Sequence, residues 1–422
     1  MSKTSFLVQG GTALSGDIVV AGAKNAALKV VAASLLTDQP VTLRNLPDIE
    51  EVRLLLRILE QIGVRVERDD DPHTVRLTAS RVTTSVLPVD LASQIRSSIM
   101  LVAPLLARTG SATIPHPGGC IIGKRPIDLF IEGFAALGVT VDEGKSSFTF
   151  TAKRLTGGRY VFPWVAHTAT ESLLMASVLA HGETTIINAA MEPEVEFLAS
   201  MLRQMGANIE NAGHHTFVVH GVDRLSGVDI TIIPDRLEAG TFAILGNLLA
   251  DELTIRHCAP DHLAVFWRML ERAGGNATID GDTVTVHRAL KLQPTELRTH
   301  EYPGFPTDLQ APFTVLLTQA SGVSLVHEAI FEGRLYYTDK LNKLGANTIM
   351  ADPHRVIVVG PTPLRGTTLE SPDIRAGIAL LIGALIAEGK STIHNAYQID
   401  RGYERIEERL RAIGADIQRI ES

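Results

Sequence analysis

The sequence of 422 residues predicts an α/β protein made of six similar units that form two groups of three. Three observations support this fold class. Two different sequence patterns each occur six times in the same order, and the chain is too long for a single ordinary hydrophobic core. Its hydrophobic content of 45 % is enough to build two large cores.

The first pattern is a helical stretch that ends in glycine and continues into a β-like run. It occurs at intervals of roughly 70 residues. Glycine is expected at the end of a helix because it adopts the left-handed conformation without a steric penalty. The six segments are "LEQIGVRV", "FAALGVTV", "LRQMGANI", "LERAGGNATI", "LNKLGANTI" and "LRAIGADI", with glycines Gly63, Gly138, Gly206, Gly274, Gly345 and Gly414.

The second pattern precedes the first and joins an apolar helix through a short turn to another β-like run. Examples are "ASLLTDQPVTLRN", "ASVLAHGETTIIN" and "GALIAEGKSTIHN". Each unit is therefore predicted to contain strand, helix, strand, helix and strand, with room for one more strand. Solenoid repeats are usually shorter, so we expect two domains of three units with a ligand site in the cleft between them.

Composition argues against several classes of function. The net charge is −8 and aromatic residues make up 5 % of the chain, so no basic, aromatic-rich nucleic-acid surface is predicted. Two cysteines fit a reducing compartment. The N-terminal residues do not resemble a signal peptide, and the most apolar run, "AGIALLIGALIAEG", is too short to span a membrane. We expect a cytoplasmic protein without a membrane segment. The adjacent histidines of "GHHTF" lack a paired ligand motif, so no metal site is expected.

Charged residues recur where the first helix of a unit begins. These are Lys24, Arg96, Asp308 and Arg375. Helix N-termini attract anions, and three cations at matched positions strengthen this tendency, so we predict a phosphate or carboxylate substrate. Asp308 lies in the proline-bracketed segment "YPGFPTDLQ" and is either a helix cap or a general base.

The segment "HPGGCIIGKRPIDLF" places Cys120 among glycines and just before two cations. Positive charge lowers the pKa of a thiol, so these two cations are expected to favour the thiolate form of Cys120. Cys258, in "IRHCAPDH", is interpreted as a small buried or loop residue.

Five motifs together resemble the UDP-N-acetylglucosamine enolpyruvyl transferases. They are "GAKNAAL", "PGGCIIGKRPIDL", "PDRLEAGTF", "FPTDLQA" and "IDRGYERIEERL". The resemblance extends over the whole chain and implies a two-domain inside-out α/β barrel of six βα repeats, three per domain. It assigns 1–22 and 233–422 to one domain and 23–232, with the Cys120 loop, to the other. The active site is expected in the interdomain cleft.

The resemblance implies transfer of the enolpyruvyl group of phosphoenolpyruvate to the 3′-hydroxyl of the nucleotide sugar. Phosphate is released in what is the first committed step of peptidoglycan synthesis. No metal, cofactor or obligate protein partner is implied, and the family is the target of fosfomycin, which alkylates the residue that corresponds to Cys120.

The resemblance also assigns site residues by motif match. The implied catalytic residues are Lys24, Cys120, Asp308 and Arg401. Those implied to bind phosphoenolpyruvate are Lys24, Arg96, Cys120, Arg125, Arg375 and Arg401. Those implied to bind the nucleotide sugar are Asn25, Arg96, Arg125, Pro126, Asp128, Leu129, Asp308 and Ile330. Among these, Asp308 would accept the proton of the attacking hydroxyl, and Cys120 would assist proton delivery or product release.

The chain departs from the family pattern mainly on the acceptor side. The differing residues are His116, Phe130, His167, Thr168 and Met191. His167 and Thr168 replace a Val-Gly pair whose backbone meets the nucleotide diphosphate in the family. Either the sequence has diverged with the same acceptor, or the enzyme passes the enolpyruvyl group to a different hydroxyl. A ligand sensor of the same fold is a third hypothesis, and the retained Lys24, Cys120 and Asp308 argue against it.

Overall fold

A computed structural model describes residues 4–116 and 127–421. These residues fall into two compact units. One comprises 22–116 and 127–233, and we call it the central unit; the other comprises 4–21 and 234–421, and we call it the terminal unit.

The described residues form 23 strands. They are β1 Thr4–Gln9, β2 Leu14–Val19, β3 Val41–Arg44, β4 Arg65–Arg68, β5 Val75–Thr78, β6 Ser111–Pro115, β7 Thr140–Glu143, β8 Ser147–Thr151, β9 Arg159–Val161, β10 Glu183–Ile187, β11 Asn208–Asn211, β12 Thr216–His220, β13 Val228–Thr231, β14 Ala250–Arg256, β15 Thr278–Asp280, β16 Thr283–Val286, β17 Glu296–Arg298, β18 Gly322–His327, β19 Asn347–Asp352, β20 Arg355–Gly360, β21 Thr368–Glu370, β22 Lys390–His394 and β23 Asp416–Glu421.

The same residues form 14 α-helices and three short 3₁₀ helices. The α-helices are α1 Lys24–Ala33, α2 Glu50–Gln61, α3 Val89–Ala92, α4 Val102–Thr109, α5 Asp128–Ala136, α6 His167–Ser177, α7 Pro193–Gln204, α8 Arg236–Leu249, α9 Ala264–Arg272, α10 Thr307–Leu317, α11 Thr338–Lys343, α12 Ile374–Ile386, α13 Tyr397–Asp400 and α14 Ile406–Ala412. The 3₁₀ helices are Ser34–Leu36, Arg96–Leu101 and Pro260–Leu263.

The strands build six small sheets, three in each unit, which confirms the predicted α/β class and the six repeats. One sheet has the order β9, β10, β12, β11, in which β9 and β10 are parallel and the remaining pairs are antiparallel. The helices α6 and α7 connect its strands, so the repeat is βαβαββ. The additional strand for which the sequence pattern left room is therefore present in this repeat.

Two sheets of the terminal unit recruit strands from the start of the chain. Strand β1 pairs antiparallel with β22 and β23, and β2 pairs parallel with β14. In the central unit, β13 completes the sheet that begins with β3. Each unit is thus closed by a strand that is distant in sequence from its neighbours.

The six marker glycines all follow helices and all have positive φ, between 79° and 104°. Only glycine adopts this conformation without strain, and it lets the chain leave the helix and enter the next strand. The sequence prediction for these six positions is confirmed.

The first helix of each repeat is the most buried. In the terminal unit, every residue of α8 is buried, and α8, α10 and α12 pack against one another. A Cβ atom on Gly240 of α8 would lie 2.5 Å from Leu309 Cδ1 of α10, so any larger residue there would force the Leu309 side chain to shift. The helix starts of this unit are therefore held rigidly by its core. Among the described residues, no helix has the length and apolar character needed to cross a bilayer.

Candidate active site

Asp308 lies in the first turn of α10, directly after the proline-rich segment that the sequence singled out. Its two carboxylate oxygens contact different arginines. Oδ1 lies 2.7 Å from Arg334 Nη1, and Oδ2 lies 2.8 Å from Arg375 Nη2. Both arginine side chains are 6 % exposed, whereas that of Asp308 is 21 % exposed. The structure therefore presents one carboxylate, fixed by two buried guanidinium groups, with part of its surface open.

Arg375 is fixed at its backbone as well as at its side chain. Asp373 caps α12 and accepts hydrogen bonds from the amides of Arg375 and Ala376 at 2.8 and 3.0 Å. Burial alone would lower the pKa of Arg375, but the charge of Asp308 outweighs it and raises the pKa above its ordinary value. Arg375 is consequently a permanent cation at this helix start.

Arg334 is a site residue that the sequence analysis missed. Its Nη1 also donates to Thr307 Oγ1 at 2.8 Å, and its guanidinium stacks over the ring of Phe331, 4.7 Å from the centroid. Its Nε is buried and has no hydrogen-bond partner among the described residues. The segment that contains it, "FEGRLYY", has no motif or helix-start pattern that would have identified it.

Glu328 organises the segment that carries Ile330. This carboxylate is 0 % exposed, and its Oε1 accepts hydrogen bonds from the amides of Ile330 and Phe331 at 2.9 and 3.1 Å. Its Oε2 accepts from Thr307 Oγ1 at 2.8 Å. A single buried carboxylate thus ties the predicted nucleotide-sugar residue Ile330 to the start of the helix that bears Asp308.

Arg401 follows α13, and its Nη1 donates to Gln398 Oε1 at 3.2 Å. Two residues further on, Tyr403 is 1 % exposed and its hydroxyl lies 2.9 Å from Thr241 Oγ1 of α8. Burial raises the pKa of Tyr403 to about 12, although the nearby Arg375 opposes the shift. The terminal unit thus contains four of the predicted site residues, Asp308, Ile330, Arg375 and Arg401. Buried residues such as Glu328, Asp373 and Tyr403 fix the segments that carry them.

Lys24 is the first residue of α1 in the central unit and is 9 % exposed. Its Nζ lies 3.2 Å from Glu51 Oε2 at the start of α2. Among the described residues, no side chain caps the N-terminus of α1, where the first amides of the helix and the side chain of Lys24 lie. This arrangement suits an anionic ligand.

Three other predicted residues also lie at or near helix starts of the central unit. Asn25 is half-buried in the first turn of α1, and Arg96 is half-buried at the first position of a 3₁₀ helix rather than of an α-helix. Asp128 begins α5 and is exposed. The next two residues are more buried, since Leu129 is half-buried and Phe130 is 7 % exposed.

His167 begins α6 and belongs to a charged cluster that the sequence did not predict. Its Nε2 lies 3.3 Å from Oε1 of Glu171, one turn along the helix, and Glu171 Oε2 lies 3.2 Å from Lys29 Nζ of α1. Glu171 is 0 % exposed. Burial and, to a smaller extent, the positive charge of Lys29 lower the pKa of His167, but Glu171, with a smaller contribution from Glu192, outweighs them and raises it above the ordinary value.

Three other residues that depart from the family pattern, His116, Thr168 and Met191, also lie in the central unit. The His116 ring packs edge-on against Phe148, with centroids 4.6 Å apart, and its Nε2 lies 3.1 Å from the carbonyl oxygen of Gly144. Thr168 follows His167 in the first turn of α6, and Met191 packs against the core of the central unit. Cys120, Arg125 and Pro126 lie outside the described residues.

Cys258 is 5 % exposed, and its Sγ donates to the carbonyl oxygen of Ile255 at 3.4 Å. Burial raises the pKa of this thiol to about 12, so it stays protonated and unreactive at neutral pH. Among residues 4–116 and 127–421, no group of three or more histidine, cysteine or carboxylate side chains is arranged to hold a metal ion.

The chain is similar along most of its length to one known family and to several curated proteins. The family described as EPSP synthase (3-phosphoshikimate 1-carboxyvinyltransferase) matches residues 8–410. A UDP-N-acetylglucosamine 1-carboxyvinyltransferase of Koribacter versatilis strain Ellin345 is 44 % identical over 417 residues, covering 98 % of this chain and 96 % of that protein. One of the same name from Solibacter usitatus strain Ellin6076 is 42 % identical over 418 residues, covering 99 % of both.

Solved structures agree on the fold. The enolpyruvyl transferase NikO from Streptomyces tendae superposes with a TM-score of 0.92 at 30 % identity, covering 100 % of both chains. An EPSP synthase from Acinetobacter baumannii superposes with a TM-score of 0.76 at 18 % identity, again covering 100 % of both. The second match concerns the fold alone, and together they confirm the predicted architecture.

Proposed function

Because this chain belongs to the family of enolpyruvyl transferases, we propose that it transfers the enolpyruvyl group of phosphoenolpyruvate to the 3′-hydroxyl of UDP-N-acetylglucosamine. Phosphate is the second product. The observation that carries the proposal is the near-complete match, at 42 and 44 % identity, with two proteins named for this reaction. The carboxylate of Asp308, fixed beside two buried guanidinium groups, supports the proposal.

The first requirement is to gather a small, highly charged substrate. Phosphoenolpyruvate carries a phosphate and a carboxylate, and cations fixed before the substrate arrives stabilise the charge of the departing phosphate. In this proposal Lys24, Arg96, Arg375 and Arg401 bind these groups, with Arg125 from outside the described residues. Arginine suits the task because its planar guanidinium binds carboxylate and phosphate with two parallel hydrogen bonds.

The second requirement is a base for the sugar hydroxyl. In the proposed addition, the 3′-hydroxyl gives its proton to Asp308 while its oxygen bonds to C2 of phosphoenolpyruvate, and the methylene carbon C3 takes a proton from a general acid, for which Cys120 is the candidate. A carboxylate has about four acceptor sites for hydrogen bonds. Asp308 can therefore accept a hydrogen bond from the sugar hydroxyl while it is paired with Arg334 and Arg375. The elimination then returns a proton from C3 to the group that delivered it, restores the C2–C3 double bond and breaks the C2–O bond, so that phosphate leaves.

Cys120 is proposed to assist the proton transfer at C3 or the release of product. The proposal thus draws its reactive groups, Lys24, Cys120, Asp308 and Arg401, from segments that are distant along the sequence. Variants in any of these segments are expected to impair the same reaction. A further set of residues is proposed to orient the nucleotide sugar. These are Asn25, Pro126, Asp128, Leu129 and Ile330.

A different hydroxyl acceptor is the second candidate. The observation that favours it is the cluster of His167, Glu171 and Lys29 at the start of α6, together with the bulk of Thr168. The resemblance implies that this backbone meets the nucleotide diphosphate. A side chain in place of glycine restricts the approach of a ligand to the backbone.

The experiment is a comparison of initial rates with an acceptor series at fixed phosphoenolpyruvate. UDP-N-acetylglucosamine is compared with UDP-glucose, uridine monophosphate and shikimate 3-phosphate. The proposal expects the highest kcat/KM for UDP-N-acetylglucosamine. A higher value for another acceptor would establish the second candidate, and no turnover with any acceptor, from a folded protein that still binds phosphoenolpyruvate, would favour a sensor.

A further inference from the structure

A single arginine of the last strand, Arg419, binds two carboxylates through paired contacts. Its Nη1 and Nη2 donate to Oδ2 and Oδ1 of Asp400 at 2.8 and 2.7 Å. Its Nε and Nη2 donate to Oε1 and Oε2 of Glu407 at 2.6 and 2.9 Å. Four charge-assisted hydrogen bonds thus converge on one guanidinium group.

The two carboxylates lie on either side of Arg401. Asp400 is the last residue of α13 and immediately precedes Arg401, whereas Glu407 lies in the first turn of α14. The segment 401–405 connects these two helices, and Arg405 at its end has a left-handed φ of 39°. Arg419 therefore holds both ends of the short segment that carries Arg401.

Contacts with the neighbouring strand β1 hold Arg419 in place. Strand β23 pairs with β1, and Phe6 is the register partner of Arg419, with the guanidinium carbon 4.8 Å from the Phe6 ring centroid. The side chains of Arg419 and Asp400 are each 28 % exposed, and that of Glu407 is 8 % exposed. Burial alone would raise the pKa of Glu407, but the hydrogen bonds from Arg419 outweigh it and lower the pKa.

We propose that Arg419 is a positioning residue that sets the affinity for phosphoenolpyruvate by fixing the backbone on which Arg401 stands. This inference rests on the proposed function, in which Arg401 binds phosphoenolpyruvate. Arg419 acts through the salt bridges to Asp400 and Glu407 and touches no substrate. The advantage is preorganisation: binding affinity is lost when a binding group must be ordered during association.

Lysine cannot replace Arg419 in this role. An ammonium group is a point donor and cannot form parallel hydrogen bonds to two carboxylates at once. Arg419→Lys keeps the positive charge and removes the bidentate geometry. Arg256→Lys is the matched control, because Arg256 is also a strand arginine of the terminal unit and pairs with a carboxylate, Asp17, far along the chain.

The test measures steady-state KM values for both substrates and the melting temperature of the wild type, Arg419→Lys and Arg256→Lys. We expect Arg419→Lys to raise the KM for phosphoenolpyruvate about tenfold, the scale of a lost charge-assisted hydrogen bond, and the KM for the acceptor less than about twofold. Arg256→Lys should leave both KM values unchanged. Equal increases in both KM values for Arg419→Lys, or no increase in either, would overturn the inference.

A double-mutant cycle separates positioning from general destabilisation. If Arg419 acts through Arg401, then Arg419→Lys added to Arg401→Ala should weaken phosphoenolpyruvate binding no further, because coupled residues are not additive. Additive losses would contradict the inference. Asp400→Asn removes the same link from the other side, and it is expected to reproduce the selective loss if Arg419→Lys does not fold.

The affinity for phosphoenolpyruvate, measured by calorimetry, distinguishes a failure of this inference from a failure of the proposed function. If the wild type binds phosphoenolpyruvate but does not turn over with any acceptor, the proposed function fails, and the affinities still decide on Arg419. If the wild type turns over and binding by Arg419→Lys is unchanged, only the inference on Arg419 fails.

Discussion

The carboxylate of Asp308 lies 2.8 Å from the guanidinium group of Arg375, and this contact joins the first turn of α10 to the first turn of α12. The second oxygen of Asp308 binds Arg334 at 2.7 Å. The proposed base of the reaction and a proposed ligand of phosphoenolpyruvate are therefore parts of one ion-pair network. Each substitution in this network is expected to alter both catalysis and local charge balance.

Asp308→Asn is expected to reduce kcat by roughly a hundred- to ten-thousand-fold, the usual contribution of a positioned general base. The amide has nearly the same shape as the carboxylate but cannot accept the proton of the hydroxyl. Steady-state kinetics measures the effect, and calorimetry with each substrate checks that binding persists.

The matched control is Asp17→Asn, which removes an exposed carboxylate paired with Arg256 in the same unit. Exposed ion pairs contribute little to stability, so this variant should retain activity and melting temperature. Retention of wild-type kcat by Asp308→Asn would remove Asp308 as the base.

Gly240→Ala is expected to destabilise the protein by about 1–3 kcal/mol, because the added methyl group would lie 2.5 Å from Leu309 Cδ1 in a packed core. Leu309 is adjacent to Asp308, so kcat should fall as well. Chemical denaturation and kinetics measure the two effects.

The double variant Gly240→Ala, Leu309→Ala removes the atoms that clash. It should be less destabilised than the sum of the two single variants, since neighbouring residues couple. Strict additivity would show that α8 and α10 do not pack as closely as the structure indicates.

The fold could be predicted from the sequence because its repeat is marked by residues with a local physical role. Gly63, Gly138 and their four counterparts end helices in a left-handed conformation, and this requirement is visible without any tertiary information. The closing strands were harder to see. The pairing of β13 with β3, and of β1 and β2 with late strands, depends on contacts between distant segments that leave no local pattern.

The cluster of charged residues around Asp308 could be predicted in part for the same reason. Asp308 and Arg375 stand at helix starts that the repeat identifies, and the structure shows them in contact. Arg334 and Glu328 come from a segment between β18 and α11 without a repeated pattern, so only the folded chain shows that they contact the start of α10. Glu171 lies within α6, a buried helix with a mixed polar and apolar sequence, where its pairing with Lys29 could not be inferred.

The two cysteines are expected to differ sharply in reactivity. Burial raises the pKa of Cys258 to about 12, so an alkylating reagent should modify Cys120 alone in the native protein. Peptide mapping after treatment with fosfomycin or iodoacetamide measures this, with Cys258→Ser as the control that should inactivate at the wild-type rate.

Cys120→Asp should keep part of the turnover and lose inactivation by fosfomycin, because a carboxylic acid can carry a proton but is a poor target for alkylation. Unchanged inactivation of Cys120→Asp would show that the drug acts elsewhere.

The cluster of His167, Glu171 and Lys29 predicts a pH dependence of stability. The pKa of folded His167 is raised, so its protonated form stabilises the fold. This contribution is fully present below the ordinary histidine pKa of about 6.5 and is lost as the pH rises through the raised value. The free energy of unfolding of the wild type should therefore exceed that of His167→Gln at low pH, and the difference should shrink as the pH increases.

Urea denaturation across this range measures the difference, and His220→Gln serves as the control. His220 belongs to the same unit but its side chain is 40 % exposed, so its ion pairs are expected to contribute little. A difference for His167→Gln that is constant or grows with pH would contradict the assignment of a protonated His167.

The most direct test of the proposed reaction follows phosphate release and the acceptor product together by nuclear magnetic resonance. The protein is mixed with phosphoenolpyruvate and UDP-N-acetylglucosamine. We expect one phosphate released for each enolpyruvyl ether formed at the 3′-oxygen, and neither product without the nucleotide sugar. Phosphate release without the ether, or an ether on another oxygen, would contradict it.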